Sequence, residues 1–288
     1  MQKSVPAPSL PDAFQVLRTA LFVPATRPER FAKAGASGAD AVIIDLEDAV
    51  EASAKDAARE AMCQFLQGPD AENAGPWLVR INGPDTSWHD ADLAACRGLA
   101  HVGGIVLPKA ETAEQVARVA VAGKPVFPII ESARGLHDLQ GISGAPGIAR
   151  LIFGALDLML DLGVAPDTPA SAVLLDHARC RLLLASRVQG LAAPLDGVHA
   201  DFSDTAGLGR MARNACDMGF GGMLCIHPVQ VAEVHKAFAP APQALEWASR
   251  VMAEVAAGRQ TFSLDGRMVD QPVIQEARRI LARAPRVS

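Results

Sequence analysis

Two carboxylates stand just beyond apolar runs: Glu131 follows PVFPII, and Asp157 closes RLIFGALD. They belong to consecutive apolar segments, so a fold that sets those segments side by side would bring the two acids together. A pair of hard oxygen ligands with open positions suits Mg²⁺, which keeps several waters and takes only one or two carboxylates. No His or Cys lies near them in sequence, which argues against zinc. The competing reading is that each acid caps the helix after it, Asp157 ahead of LMLDLG. Arg80 sits inside another apolar run, LVRIN. A buried arginine must find a partner, and its planar fork matches a carboxylate at two points. It is either a clamp on an anionic substrate or the partner of the chain's own acids. Asp45, Glu47 and Asp48 crowd into four residues, where they repel one another unless a cation or arginines lie close. They could hold waters on a metal from outside its ligand sphere. Alternatively, Asp48 caps a helix and Asp45 anchors a loop. Lys109, after IVLP, binds an anion or pairs with those acids. Arg27 and Arg30 meet phosphates or only solvent. His227 in CIHPVQ reads as a structural histidine before a general base, and Ser132 lacks the G-x-S-x-G elbow of a nucleophile.

These residues need a scaffold that gathers strand ends. Strands are predicted at 20–24, 41–45, 77–81, 103–107, 125–130, 150–154, 196–200 and 222–226. Most are continuously apolar, as strands covered on both faces should be. Helical patterns at 28–37, 53–67, 111–121, 170–188 and 205–218 lie between them. Eight strand–helix repeats predict an α/β fold, the (β/α)8 TIM barrel, whose strands present their C-terminal ends at one mouth. An open doubly wound sheet would need a glycine-rich turn after the first strand; the turn here is Pro24-Ala25-Thr26-Arg27-Pro28. Residues 1–17, rich in Pro and Ser, are expected to form a flexible arm. Residues 18–240 form the barrel. Residues 241–288 form a C-terminal helical extension with a hairpin-like segment, as a packing layer or a lid.

Composition excludes several classes. The 288 residues are 50% hydrophobic with a net charge of −5 and dispersed basic residues. That balance supports a sizeable core and offers no footprint for nucleic acid or a membrane surface. No apolar stretch approaches the roughly 18 residues of a membrane span. Five cysteines without C-x-x-C spacing predict neither a disulfide framework nor structural zinc, and place the chain in a reducing, cytoplasmic setting.

Read together, LFVPATRPERFAKAGASGADAVIIDLEDAV, VRIN, LPKAE, PIIES, FGALDL, LDGVHADFSD and GFGGMLCIHPVQ resemble, in that order, the citrate lyase beta-subunit family of the HpcH/HpaI aldolase and malyl-CoA lyase superfamily. The resemblance spans roughly residues 18–280. It implies a Mg²⁺-dependent barrel that cleaves or forms carbon–carbon bonds beside a carbonyl, through an enolate. By motif, Glu131 and Asp157 correspond to the metal ligands, with Glu131 also lining the substrate. Arg80 corresponds to the substrate-oxygen clamp, and Glu47 and Asp48 to the acids that hold metal waters. Asp45 and Lys109 support them. DGRMVDQPV resembles the family segment whose aspartate, here Asp270, moves the proton in a neighbouring subunit's site, which implies a homo-oligomer, a trimer or hexamer. The implied substrate is a 3-hydroxyacyl-CoA thioester of the citryl- or malyl-CoA type, with Arg27 placed for the nucleotide. Alternatives are a CoA-independent aldolase acting on a 2-oxo-4-hydroxy acid and a subunit active only within a larger lyase complex. The chain departs from the family pattern at Ala25, His199, Met211 and Met223.

Overall fold

The computed structural model describes Phe14, residues 16–72 and residues 75–284. Of the expected arm, residues 1–13 and 15 lie outside this range, whereas Phe14 and Leu17 are buried in the core. The chain forms two compact units, divided between His235 and Lys236.

The first unit alternates strand and helix: β1 (Thr19–Pro24), α1 (Phe31–Gly35), β2 (Ala41–Asp45), α2 (Lys55–Gln67), β3 (Trp77–Arg80), α3 (His89–Gly98), β4 (Val102–Leu107), α4 (Ala113–Ala120) and β5 (Val126–Ile130). It continues through α5 (Ala133–His137), α6 (Leu139–Ser143), β6 (Arg150–Phe153), α7 (Ala155–Asp161), α8 (Pro169–Val188), β7 (Ala192–Asp196), α9 (Thr205–Met218), β8 (Gly222–Cys225) and α10 (Pro228–Phe238), within which the division falls. The eight strands close in sequence order into a parallel barrel, sealed by pairing of β1 with β8. The predicted fold is therefore observed. Ile43, Leu78, Val106, Phe127, Ile129, Ile152, Leu195 and Leu224 fill the core. Where Gly104 leaves room for Phe127, an added Cβ would lie 2.6 Å from the ring.

The seventh strand is corrected. It runs Ala192–Asp196, not 196–200. Its C-terminal Asp196 is buried and is held by both oxygens to Arg179 Nε at 3.1 Å. That ion pair lets an aspartate end a buried strand that residue preference alone would start later. Helix starts follow local chemistry. Thr112 and Gln115 form a capping box on α4, Thr168 and Ser171 do so on α8, and Asp204 caps α9.

The second unit continues with α11 (Pro242–Ala256), the antiparallel hairpin β9 (Phe262–Leu264) and β10 (Arg267–Val269), and α12 (Gln271–Ala282). Ala248, Val251, Val269, Ile274, Ala277 and Ile280 give it a core of its own. No helix among the described residues is long and apolar enough to cross a membrane.

Candidate active site

Parallel register builds the first half of the site. Asp45 pairs with Arg80 across β2 and β3, each at its strand's C-terminal end. The guanidinium therefore meets the carboxylate at two points, Nε to Oδ1 at 2.7 Å and Nη2 to Oδ2 at 2.6 Å. The third nitrogen, Nη1, lies 2.8 Å from Glu47 and 3.5 Å from Asp48. The Phe22 ring packs against the guanidinium at 4.9 Å. Burial opposes the charge on Arg80, but Asp45, then Glu47 and Asp48, raise its pKa further above the arginine range. Both sequence readings of Arg80 thus meet a fact: in this structure its fork is on the chain's own acid. Asp45 also accepts the backbone N–H groups of Glu47 and Ala49, so it anchors the loop as well as the arginine.

Glu47 is buried between two cations, with Lys109 Nζ 2.5 Å from Oε1. Burial pushes its carboxyl upward, and the charges of Arg80 and Lys109 only partly offset that. Its Oε2 is near Arg80 but out of line for a hydrogen bond, which leaves a buried oxygen with no donor. Asp48, beside it, is 56% exposed on its side chain.

The second half of the site turns on Lys109. Its backbone is left-handed, φ 49°, an uncommon state for a residue with a side chain and one concentrated at functional sites. That turn sends its N–H to Glu131 Oε1 at 2.7 Å while its ammonium reaches Glu47 and, at 3.7 Å, Asp48. One residue therefore ties both acid groups together. Glu131 is 5% exposed, and burial pushes its carboxyl up to about 8, against the Lys109 N–H and with help from the charge of Asp157. Ile130 pairs with Phe153, which sets Glu131 level with Gly154. A Cβ on Gly154 would lie 2.4 Å from the Glu131 Cβ and 2.6 Å from its Oε2. Gly154→Ala is accordingly expected to displace Glu131 and lower kcat by about a hundredfold, since small misplacements at a reacting centre cost that much. Steady-state kinetics beside a circular-dichroism melt would check it, and wild-type kcat would remove the close packing from the argument.

Asp157 lies in the first turn of α7, whose N-cap position is Gly154 and carries no side-chain cap. The capping alternative is not what the structure shows. Among the described residues no group of three or more His, Cys, Asp or Glu is arranged to hold a metal. Glu131 and Asp157 fit a hard cation that fills its other positions with water or substrate, and the raised Glu131 carboxyl and the donorless Glu47 oxygen are what such an ion and its waters would relieve.

The other residues fall elsewhere. Arg27 is half-exposed and its Nε is 2.6 Å from Glu29. Ser132 caps α5 through Gly135 N–H. His227 Nδ1 accepts Val229 N–H, and its ring stacks on Phe202. Asp270 belongs to the second unit, where it caps α12 by accepting Val273 N–H at 3.4 Å. Of the departures, Ala25 and Met223 are fully buried, while His199 Nε2 lies 3.5 Å from Asp204. Sequence reasoning missed Phe22 under Arg80, and it missed Lys55. The latter had a signal: a lysine in line with Ala58, Met62 and Leu66 on the buried stripe of α2.

Comparison with known proteins identifies the family. The family model described as HpcH/HpaI aldolase/citrate lyase matches residues 18–228. The chain is 41% identical over 267 residues to a citrate lyase subunit beta-like protein of Mycobacterium tuberculosis, covering 92% of this chain and 94% of the relative. It is 33% identical over 277 residues to a (3S)-malyl-CoA thioesterase of Cereibacter sphaeroides, covering 94% and 95%. Its fold matches the crystal structure of CitE from M. tuberculosis in complex with magnesium, acetoacetate and coenzyme A, with a TM-score of 0.81 at 39% identity, over 94% of this chain and 99% of that one. A closed parallel barrel with acids and arginine at its strand ends, matched along nearly its whole length by these proteins, belongs to the HpcH/HpaI aldolase/citrate lyase family of carbon–carbon lyases.

Proposed function

We propose that this chain is a Mg²⁺-dependent lyase that cleaves or forms a 3-hydroxyacyl-CoA thioester of the citryl- or malyl-CoA type through an enolate. The observation that carries the reading is the Glu131–Asp157 pair: Glu131 is buried, its carboxyl is pushed up to about 8 by burial and by the charge of Asp157, and Lys109 ties it to Glu47 beside Arg80. The related CitE structure holds magnesium, a small oxo acid and coenzyme A together. Glu131 and Asp157 would hold the ion, with Glu47 and Asp48 accepting from its waters. When bound, the ion supplies Lewis-acid polarisation of the substrate carbonyl.

The chain's own residues then divide the work. Asp45 fixes the Arg80 plane, leaving Nη1 as the donor. A substrate oxygen displaces half-exposed Asp48 from Nη1 more easily than it displaces buried Asp45. Nη1 so placed stabilises negative charge as it develops on that oxygen. Lys109 holds Glu47 and Glu131 at a set separation, which spares their reorganisation during reaction. Asp270, supplied by a second copy of the chain, would move the proton, so the active form is a homo-oligomer of at least two chains. Residues 241–288 then serve as the extension that delivers it. Arg27 would meet the CoA phosphates after releasing exposed Glu29. Five free cysteines suit a cytoplasmic setting.

A panel of CoA thioesters and 2-oxo-4-hydroxy acids, assayed with and without Mg²⁺, tests the reading. Turnover confined to the 2-oxo acids, with no heat of CoA binding at millimolar concentration, replaces it with the CoA-independent aldolase giving pyruvate or oxaloacetate. Thioester hydrolysis without carbon–carbon cleavage points to the activity named for the C. sphaeroides relative. No turnover by the purified chain assigns it to a larger lyase complex.

Metal binding carries its own prediction. Mg²⁺ takes the carboxylate and not the acid, so binding must expel the Glu131 proton. Apparent Mg²⁺ affinity is expected to rise about tenfold per pH unit below the Glu131 value and to level off above about pH 8. Calorimetry in two buffers of different ionisation enthalpy would count the proton. An affinity that is flat between pH 6 and 8 would exclude Glu131 as a ligand.

A further inference from the structure

Lys55 opens α2 and is buried, although lysine is among the residues least often buried. Its Nζ lies 2.8 Å from the carbonyl oxygen of Leu46 and 2.8 Å from that of Glu47, with the Trp88 ring 5.6 Å away. Those carbonyls belong to the loop that carries Glu47 and Asp48. Burial lowers the ammonium's pKa, while the charges of Asp45, Glu47, Asp92 and Asp48 oppose that. The Glu47 oxygen also accepts Val50 N–H, and Leu46 N–H donates to the Arg80 carbonyl. The loop is thus tied to β3 on one side and to α2 on the other.

One helical turn later, Arg59 repeats the arrangement for the next strand. Its Nε donates to Asp92 Oδ1 at 2.6 Å, and Asp92 Oδ2 accepts the N–H of Asn82 at 2.9 Å and its Nδ2 at 2.6 Å. Asn82 follows Arg80 by two residues. Spacing of four on a helix puts Lys55 and Arg59 on one face, so a single helix surface reaches both strand ends that form the Asp45–Arg80–Glu47 cluster.

We infer that Lys55 is a positioning residue: its buried ammonium, hydrogen-bonded to two consecutive backbone carbonyls, sets where the loop holds Glu47 and thereby where Arg80 Nη1 and Lys109 point. The kinetic part of this inference rests on the lyase reading; the structural part does not. A neutral side chain of the same length cannot replace it, because two buried carbonyls would lose their charged donor. Methionine matches the volume without donors, and glutamine restores one.

The test uses the full chain with Lys55→Met and Lys55→Gln. Hydrogen exchange of peptides covering 45–51 reports the loop, Mg²⁺ calorimetry the metal acids, and kcat and KM at saturating Mg²⁺ the chemistry. For Lys55→Met, amide exchange across 46–50 is expected to rise at least about tenfold through local opening. Mg²⁺ affinity should fall about tenfold, as for a missing outer-shell partner. With a thioester substrate, kcat should fall about thirtyfold while KM stays within about threefold, because the bond from Arg80 Nη1 to the substrate oxygen strengthens only as the transition state forms. Lys55→Gln should fall between the two, and it stands in if the methionine variant does not fold. A variant that melts lower yet keeps wild-type exchange, Mg²⁺ affinity and kcat overturns the inference and leaves Lys55 a purely structural residue. If the wild type turns over no thioester, the lyase reading fails by itself; loosened exchange with weakened Mg²⁺ binding would still support the positioning role, and unchanged values would overturn it.

Discussion

Glu131→Gln is expected to abolish Mg²⁺-dependent turnover, by at least about a thousandfold in kcat, while making the metal-free protein more stable above neutral pH. The two effects share one cause. Burial, reinforced by Asp157, raises the Glu131 carboxyl from 4.5 to about 8, so the folded state holds this proton more tightly than the unfolded chain does. The stabilisation is complete below about pH 4.5 and is lost as pH rises through about 8. Well above pH 8 the metal-free protein carries an ionised, buried glutamate, at a cost on the order of a few kcal/mol. Glutamine has the same shape, still accepts Lys109 N–H and does not ionise. Thermal melts of the metal-free variant should therefore lack the downward slope expected of the wild type between about pH 5 and 8. Mg²⁺ should raise the melting temperature of the wild type and leave the variant unmoved. Asp157→Asn should share the loss of turnover with little change in metal-free stability. Full activity in either variant would end the assignment of this pair to the metal.

Arg80→Met should combine the largest stability loss with the second largest activity loss. Removing the guanidinium leaves Asp45 and Glu47, 2% and 5% exposed, without their main counter-charge. Breaking a buried pair from one side costs about 3–5 kcal/mol, which urea denaturation at pH 7.5 would read. If Arg80 is the donor to a developing oxyanion, as proposed, its loss should lower kcat at least about a hundredfold. The double variant Arg80→Met with Asp45→Asn separates the effects, because it removes the stranded charge but not the need for a donor. It should regain more than half of the lost stability and none of the lost activity. If stability does not return, the two-point contact with Asp45 is not what holds the arginine. Arg80→Lys should lie close to Arg80→Met in activity, since a point charge cannot hold Asp45 at two points and also present a third donor.

The residues at the centre of both predictions are legible in the amino-acid sequence. Unbroken apolar runs that end on Asp45, Arg80, Lys109 and Glu131 announce strands covered on both faces, and their number with the intervening helical patterns announces the barrel. Legibility ends where a charged residue's partner lies outside its own segment. The seventh strand reads four residues late because Asp196 looks like the polar start of a strand, not its buried end, until Arg179 is beside it. Lys55 looks like the solvated first turn of a helix until two carbonyls and Trp88 enclose it. Arg80 stays open between clamp and internal pair because both are satisfied by a carboxylate, and sequence does not say whose.

Sequence by itself determined which groups this protein has for chemistry and that they stand at the ends of buried strands. Those properties depend on residue type and on hydrophobic periodicity, which are local. Only the tertiary structure decided the pairings: Asp45 against Arg80, Glu131 beside Gly154, Lys109 bridging Glu131 and Glu47, and Lys55 beneath the loop. Parallel register and barrel closure set these, through hydrogen bonds between strands that are distant in sequence. The charge state of Glu131 followed in turn, because desolvation is a property of everything packed around a carboxylate and not of the carboxylate itself.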